Sequence, residues 1–185
     1  MGILSCVYRL EHSYGYGVQS PSVYYYIKNV LNEHSPYYAY DELLQPSSSF
    51  PSYLVNQFRL YFRLANYHQP HVWLDLYPED DSVRKFVQSG CRHTSYFSID
   101  QMDSLSQVDV ARMLNGDAGL YENLLLKFTP HSVLIVNHIR NDSQMLSFWN
   151  DIVADTRTGV TLDMYSMGIV FFDNRPKQNY ILYLR

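Results

Sequence analysis

The chain has 185 residues, a formal net charge of −4 at pH 7, 46% hydrophobic residues and 17% charged residues. That length is enough for one domain with a sizeable core, the apolar content is that of a soluble globular protein, and the acid excess argues against a nucleic-acid partner, which calls for a basic face. No apolar run approaches the length of a membrane span, and the start, Met1-Gly2-Ile3-Leu4-Ser5-Cys6, lacks the basic opening and apolar core of a signal peptide.

Cys6 also stands where a myristoylation signal needs Ser or Thr. A cytoplasmic location without a membrane partner is therefore expected. The two cysteines, Cys6 and Cys91, show no metal-ligand spacing and read as reduced thiols. The unusual number is tyrosine: there are 18, and most precede residue 70, with Tyr24-Tyr25-Tyr26 and Tyr37-Tyr38-Ala39-Tyr40 the densest clusters. Tyrosine combines a large apolar body with a polar tip. A packed N-terminal layer with its hydroxyls at the rim is the simpler reading. A surface for a protein partner, or for a second copy of the chain, is the sharper one.

In chain order, residues 12–17 form a glycine-bearing loop. Ser20-Pro21 is a helix start, with Ser as cap and Pro at the first helical position. Val23, Ile27, Val30 and Leu31 then share a face, predicting a helix over 21–33. A short helix is expected over 37–44 and a linker over 45–51. Leu54, Phe58, Tyr61, Phe62 and Ala65 predict a helix over 53–67, ended by His68-Gln69-Pro70. From residue 72 the rhythm becomes strand, helix, strand. Strands are expected over 72–76, 94–99, 133–136, 159–164, 168–172 and 180–184. Helices are expected over 82–88, closed by Gly90 as a stop, over 120–128, and over 143–153. Residues 103–114 fit either a strand over 108–114 or a helix ending at Asn115-Gly116. This alternation predicts an α/β fold with a mostly parallel sheet covered on both faces, and the tight strand pair near the end adds an antiparallel edge. Residues 1–70 read as a helical, Tyr-rich extension packed on an α/β unit of residues 71–185.

This order resembles the S-adenosylmethionine (SAM)-dependent methyltransferases, whose Rossmann-like sheet finishes with an antiparallel strand. More narrowly, three blocks resemble a bacterial branch of O-methyltransferase-like proteins. They are "HSYGYGVQSPSVYYYIKNVLNEHSPYYAYDEL", "RLANYHQPHVWLDL", and "SVLIVNHIRNDSQMLSFWNDI" with the later "GVTLDMYSMGIVFF". The resemblance implies a cofactor site at the end of the first strand, where active members carry an acidic-x-Gly-x-x-x-Gly run. Glycine is needed there because the chain turns sharply and approaches the cofactor, so a Cβ would clash or force an unfavourable φ. Here Asp75 matches the acidic position, but Tyr77 stands at the first glycine, followed by Glu79, Asp80 and Asp81. Asp100 matches the acidic residue that grips the ribose hydroxyls. Only residues 101–107 then separate it from Val108, too few for a parallel crossover with its own helix. About one β-α unit of the family is therefore expected to be missing.

Metal-dependent members place an aspartate after the fourth strand and an Asp-Asn pair after the fifth. Asp117 matches the first place, and Asn137 and His138 stand at the second. The loss of one aspartate weakens a magnesium-type site. Asp117 or His138 is the candidate general base, His because it titrates in the useful range. The expectation is a truncated, degenerate methyltransferase-like protein, a pseudoenzyme with a binding or assembly role, using SAM only if the site is retained. The alternative is an active SAM-dependent O-methyltransferase with an atypical cofactor loop. A third class is a binder of another small ligand in the crevice at the strand ends.

Overall fold

Seven short strands and the helices between them are laid out by a computed structural model that describes residues 18–44, 50–78 and 81–182. The loop at 12–17, Cys6, residues 45–49 of the linker expected over 45–51, Glu79, Asp80 and the end of the last predicted strand lie outside those residues.

Helix α1 begins at Pro21–Tyr26, where the Ser20 hydroxyl accepts from the Val23 amide at 3.5 Å. It continues as a π-helical stretch, Ile27–Leu31, with the Asn32 amide bonded to the Ile27 carbonyl. Its last carbonyls have no partner within the helix, and the Arg63 guanidinium takes them: Nε donates to Val30 at 2.7 Å and Nη2 to Leu31 at 2.9 Å. Helix α2 is Tyr38–Leu43 and α3 is Ser52–His68. α3 stops at Gln69, which is left-handed (φ 48°), just before Pro70.

The α/β part follows as β1 (Val72–Asp75), α4 (Ser82–Gly90), β2 (Ser95–Ser98), a 3-10 helix (Ile99–Ser104), β3 (Val110–Met113), α5 (Ala118–Leu125), β4 (Val133–Asn137), α6 (Ser143–Ala154), β5 (Val160–Asp163), β6 (Met167–Phe171) and β7 (Gln178–Ile181). The sheet order is β2-β1-β3-β4-β6-β5-β7. The first four strands are parallel, β6 runs antiparallel between β4 and β5, and β7 is parallel to β5. This is the expected mixed sheet with an antiparallel C-terminal part.

The open segment 103–114 resolves as a strand. Val110, Ala111, Arg112 and Met113 are all buried between β1 and β4, and a strand flanked on both sides buries every residue. The helical turn that competed for this segment lies earlier, in the 3-10 helix, where Ser98 and Gln101 form a reciprocal cap. Among the described residues β2 is an edge strand and only the 3-10 helix lies between β2 and β3, so the expected missing β-α unit is absent there.

Two apolar layers sandwich the sheet. One joins α1, α2, α3 and α4 to Val110, Ile135, Ile169 and Phe171. The other joins α5, α6 and the 3-10 helix to Leu74, Ala111, Leu134 and Val170. Two glycines set the close approaches. A Cβ on Gly168 would lie 2.3 Å from two ring atoms of Trp149, so the indole lies directly on β6. A Cβ on Gly90 would lie 2.3 Å from the Phe62 carbonyl oxygen. Gly90 is the last residue of α4 and has no left-handed φ. Its role is the contact with α3, not the stop signal read from sequence. The last strand also differs: it begins at Gln178 rather than 180 and pairs parallel to β5, outside the antiparallel pair.

Candidate functional site

The carboxyl ends of β1, β3 and β4 converge on Asp75, the last residue of β1. Asp75 is fully buried. Facing it from β3 is Arg112, only 4% exposed, whose Nε donates to Oδ1 at 3.0 Å and whose Nη2 lies 3.0 Å from Oδ2. From β2 the Tyr96 hydroxyl donates to Oδ2, and the Tyr77 amide donates to Oδ1 at 3.1 Å. Both carboxylate oxygens are thus engaged within the fold. A two-point Arg–carboxylate pair of this kind is among the stronger side-chain contacts and fixes the orientation of both partners.

The network continues inward. Arg112 lies 5.7 Å from the centre of the Tyr61 ring on α3. The Tyr61 hydroxyl accepts from Asn137 Nδ2 of β4 at 2.8 Å, while Asn137 Oδ1 is buried without a partner among the described residues. Burial pushes the Tyr96 hydroxyl far above its ordinary pKa, with the Asp75 charge adding to it. Burial also raises Tyr61, against Arg112. Desolvation opposes the Arg112 charge, but Tyr61 and Asp75 outweigh it and hold the guanidinium protonated. Tyr96, Tyr61 and Arg112 keep their protons, and these contacts tie β1, β2, β3, β4 and α3 together.

Tyr77, which the sequence resemblance sets at the family's first glycine, is tied at three points. Its amide donates to Asp75, its carbonyl accepts from Arg112 Nη2 at 2.9 Å, and its hydroxyl accepts from Asn115 Nδ2 at 2.5 Å. The first two ties use the Tyr77 backbone, and the hydroxyl contact with Asn115 is the one that a glycine could not supply. Asp81 is the residue before α4 and gives no side-chain cap.

The other sequence candidates stand apart from this corner. Asp100 is exposed on the first turn of the 3-10 helix. Asp117 caps α5, its Oδ1 accepting from the Leu120 amide at 3.0 Å. Asn137 belongs to the Tyr61 contact. His138 is exposed, with a left-handed φ of 58°. Among the described residues no three His, Cys, Asp or Glu side chains gather in a metal-binding group. Asp117 caps a helix, Asn137 makes an interior hydrogen bond and His138 lines a cleft. Cys91 is a buried free thiol. Sequence reasoning missed Arg112 and Tyr96. The available signal was an arginine inside the apolar run "VARM", which needs an acid once it is buried.

His138 lines a cleft of about 390 Å³ at the ends of β4, β5 and β6, together with Tyr53, Asn56, Gln57 and residues 164–167. Tyr165 on its far side is also left-handed, at φ 72°. Arg140 braces that turn, with Nη1 and Nη2 on the Asp163 carboxylate at 2.8 and 2.5 Å and Nη1 on the Tyr165 carbonyl at 2.8 Å. Two non-glycine left-handed residues on one cleft form the kind of local backbone strain that clusters at ligand sites.

No protein-family model and no curated protein matches the sequence. Solved structures do. An SAH-bound methyltransferase from Podospora anserina, PaMTH1, superposes with a TM-score of 0.55 at 12% identity, over 83% of this chain and 94% of that one. A methyltransferase from Geobacter sulfurreducens gives 0.51 at 13% identity, over 84% and 97%. An O-methyltransferase from Bacillus cereus in complex with SAH gives 0.50 at 14% identity, over 81% and 97%. At these identities the likeness is one of fold, and the chain has the Rossmann-like fold of the SAM-dependent methyltransferases. Among the described residues no helix is long and apolar enough to cross a membrane.

Proposed function

We propose that this chain keeps the methyltransferase fold without the methyltransferase chemistry, and that its role is binding or assembly. One observation carries the reading: Asp75, which matches the family's acidic position, is spent on Arg112 and Tyr96 inside the protein. A ligand reaching for that carboxylate would have to break a buried ion pair, which costs several kcal/mol before any gain. The turn that follows points the same way. Tyr77 is fixed at three points, where the cofactor needs a backbone free of a Cβ. The residues present do not fit SAM, and no catalytic step is assigned through it. Fold alone does not carry activity. Equilibrium dialysis against methyl-labelled SAM tests the reading: no retention above a control protein is expected. Retention abolished by Asp75→Ala would support the active O-methyltransferase instead.

A second reading, capture of a small molecule in the His138 cleft, rests on the paired left-handed residues there. For assembly, the Tyr-rich layer offers Tyr25, Tyr38 and Tyr53 at 56%, 95% and 68% exposure. We propose a second copy of the chain as the partner. Light scattering over a concentration series checks this, and a strictly monomeric mass at high concentration contradicts it.

A further inference from the structure

We propose that a cavity in the N-terminal layer, between α1, α2 and α3, binds a small organic monocarboxylate through Arg59 and Arg63. The cavity measures about 200 Å³, and the residues that decide its chemistry are Glu33, Tyr37, Tyr40, Asp41, Arg59 and Arg63. It lies away from the Asp75 corner and the His138 cleft, and the inference does not rest on the function proposed above.

Two arginines of α3 line this cavity without a direct ion-pair partner among the described residues. Arg63 is 7% exposed. Its Nε and Nη2 are fixed by the Val30 and Leu31 carbonyls, which orient the guanidinium but leave its full charge in place. Arg59 stands one turn earlier on α3, with its Cζ 5.1 Å from the centre of the Tyr40 ring. Its Nε is buried and has no hydrogen-bond partner among the described residues. Among the described residues the ion pairs involve Arg112, Arg140, Arg157 and Arg175, and neither Arg59 nor Arg63. Buried charges are ordinarily paired, and like charges four apart on a helix repel. An oxyanion between the two guanidinium groups would relieve both costs.

The walls choose the class of anion. Glu33 accepts from the Tyr37 hydroxyl at 2.5 Å and from the Ser35 amide at 2.7 Å, so both its oxygens are already engaged, and against burial these bonds and the more distant Arg63 charge lower its pKa. Glu33 and Asp41 therefore leave two negative charges on the same cavity. They oppose a dianion such as phosphate and tolerate a single carboxylate, whose two oxygens match the guanidinium fork. The Tyr37 and Tyr40 rings pack 5.4 Å apart and provide an apolar wall for the body of the acid. The volume falls below the roughly 300 Å³ at which drug-sized sites begin, which suits one small acid.

The test titrates the whole chain with benzoate, and in parallel with acetate and inorganic phosphate at matched ionic strength. Binding is followed by calorimetry and by the Arg59 Nε–H resonance. Saturable benzoate binding that moves this resonance is expected, with phosphate at least tenfold weaker. Arg59→Gln should weaken benzoate at least tenfold, and Arg59→Lys, which keeps the charge but loses the fork, should weaken it less. Because the substitution removes a like-charge contact, unliganded Arg59→Gln should melt no lower than the parent. Absence of saturable benzoate binding overturns the proposal. So does phosphate binding more tightly than benzoate, or undiminished benzoate binding by Arg59→Gln.

Discussion

Asp75→Asn keeps the shape of the side chain and removes its charge. In the parent, that carboxylate meets Arg112 at 3.0 Å through both oxygens and also accepts from Tyr96 and Tyr77. The variant leaves the Arg112 guanidinium, 4% exposed, without a counter-charge. Breaking one side of a buried pair costs about 3–5 kcal/mol, a large part of the roughly 5–15 kcal/mol that holds a domain folded. With a urea m-value of about 2 kcal/mol/M, the unfolding midpoint should fall by about 2 M. Asp75→Asn/Arg112→Met removes both charges and should recover most of the loss, because an apolar replacement of a buried pair is often near neutral. The coupling between the two sites should then exceed about 2 kcal/mol. Trp73 and Trp149 are both fully buried and report unfolding by fluorescence. A cost below about 1 kcal/mol for the single variant, or a double variant no more stable than the single, would refute a structural role for the pair. Asp75 would then be free for a ligand.

Three further outcomes follow from the packing. Gly168→Ala forces a methyl group to within 2.3 Å of the Trp149 ring; it should cost about 1–3 kcal/mol by overpacking and shift the tryptophan emission, and an unchanged melting curve would contradict that contact. Asp117→Ala should cost about 1 kcal/mol through the lost α5 cap, measured by urea unfolding, and should leave thermal stability equally insensitive to added magnesium. Burial, helped by Arg175, lowers the His68 pKa from its ordinary 6.5 to about 4. The folded protein therefore resists protonation that the unfolded chain accepts. The resulting stabilisation is complete above pH 6.5 and is lost as the pH falls towards 4, to the extent of about 2–3 kcal/mol. His68→Gln should flatten that part of the stability profile; parallel curves for parent and variant would show that the imidazole is not held neutral.

The fold was legible where periodicity and punctuation agreed. Ser20-Pro21 opens α1, and the apolar run at 133–136 is a fully buried strand. Segment 103–114 was ambiguous because its apolar spacing suits a helix, whereas burial against β1 and β4 makes it a strand. Local pattern cannot see that flanking. The strand at Gln178–Ile181 was placed late because its exposed residues, Gln178 and Asn179, give no apolar signal. At the site, Asp75 was found through its match to a family position, but its fate was not. The partners that occupy it, Arg112 and Tyr96, stand 37 and 21 residues away and meet it only through sheet register. Asp117 and His138 match family metal positions in sequence, while the cap that Asp117 gives α5 and the left-handed φ of His138 on its cleft come only from the fold.

The most direct measurement is a calorimetric titration of the chain with S-adenosylhomocysteine, paired with a melting scan in its presence. A ligand at a hundred times its dissociation constant stabilises a fold by about 2.7 kcal/mol, which a melting scan resolves. No binding heat and no shift at millimolar ligand is the expected result, because Asp75 and the Tyr77 turn are committed to each other. A clear isotherm with a matching rise in melting temperature would contradict it and return this corner to the enzymes whose fold it shares.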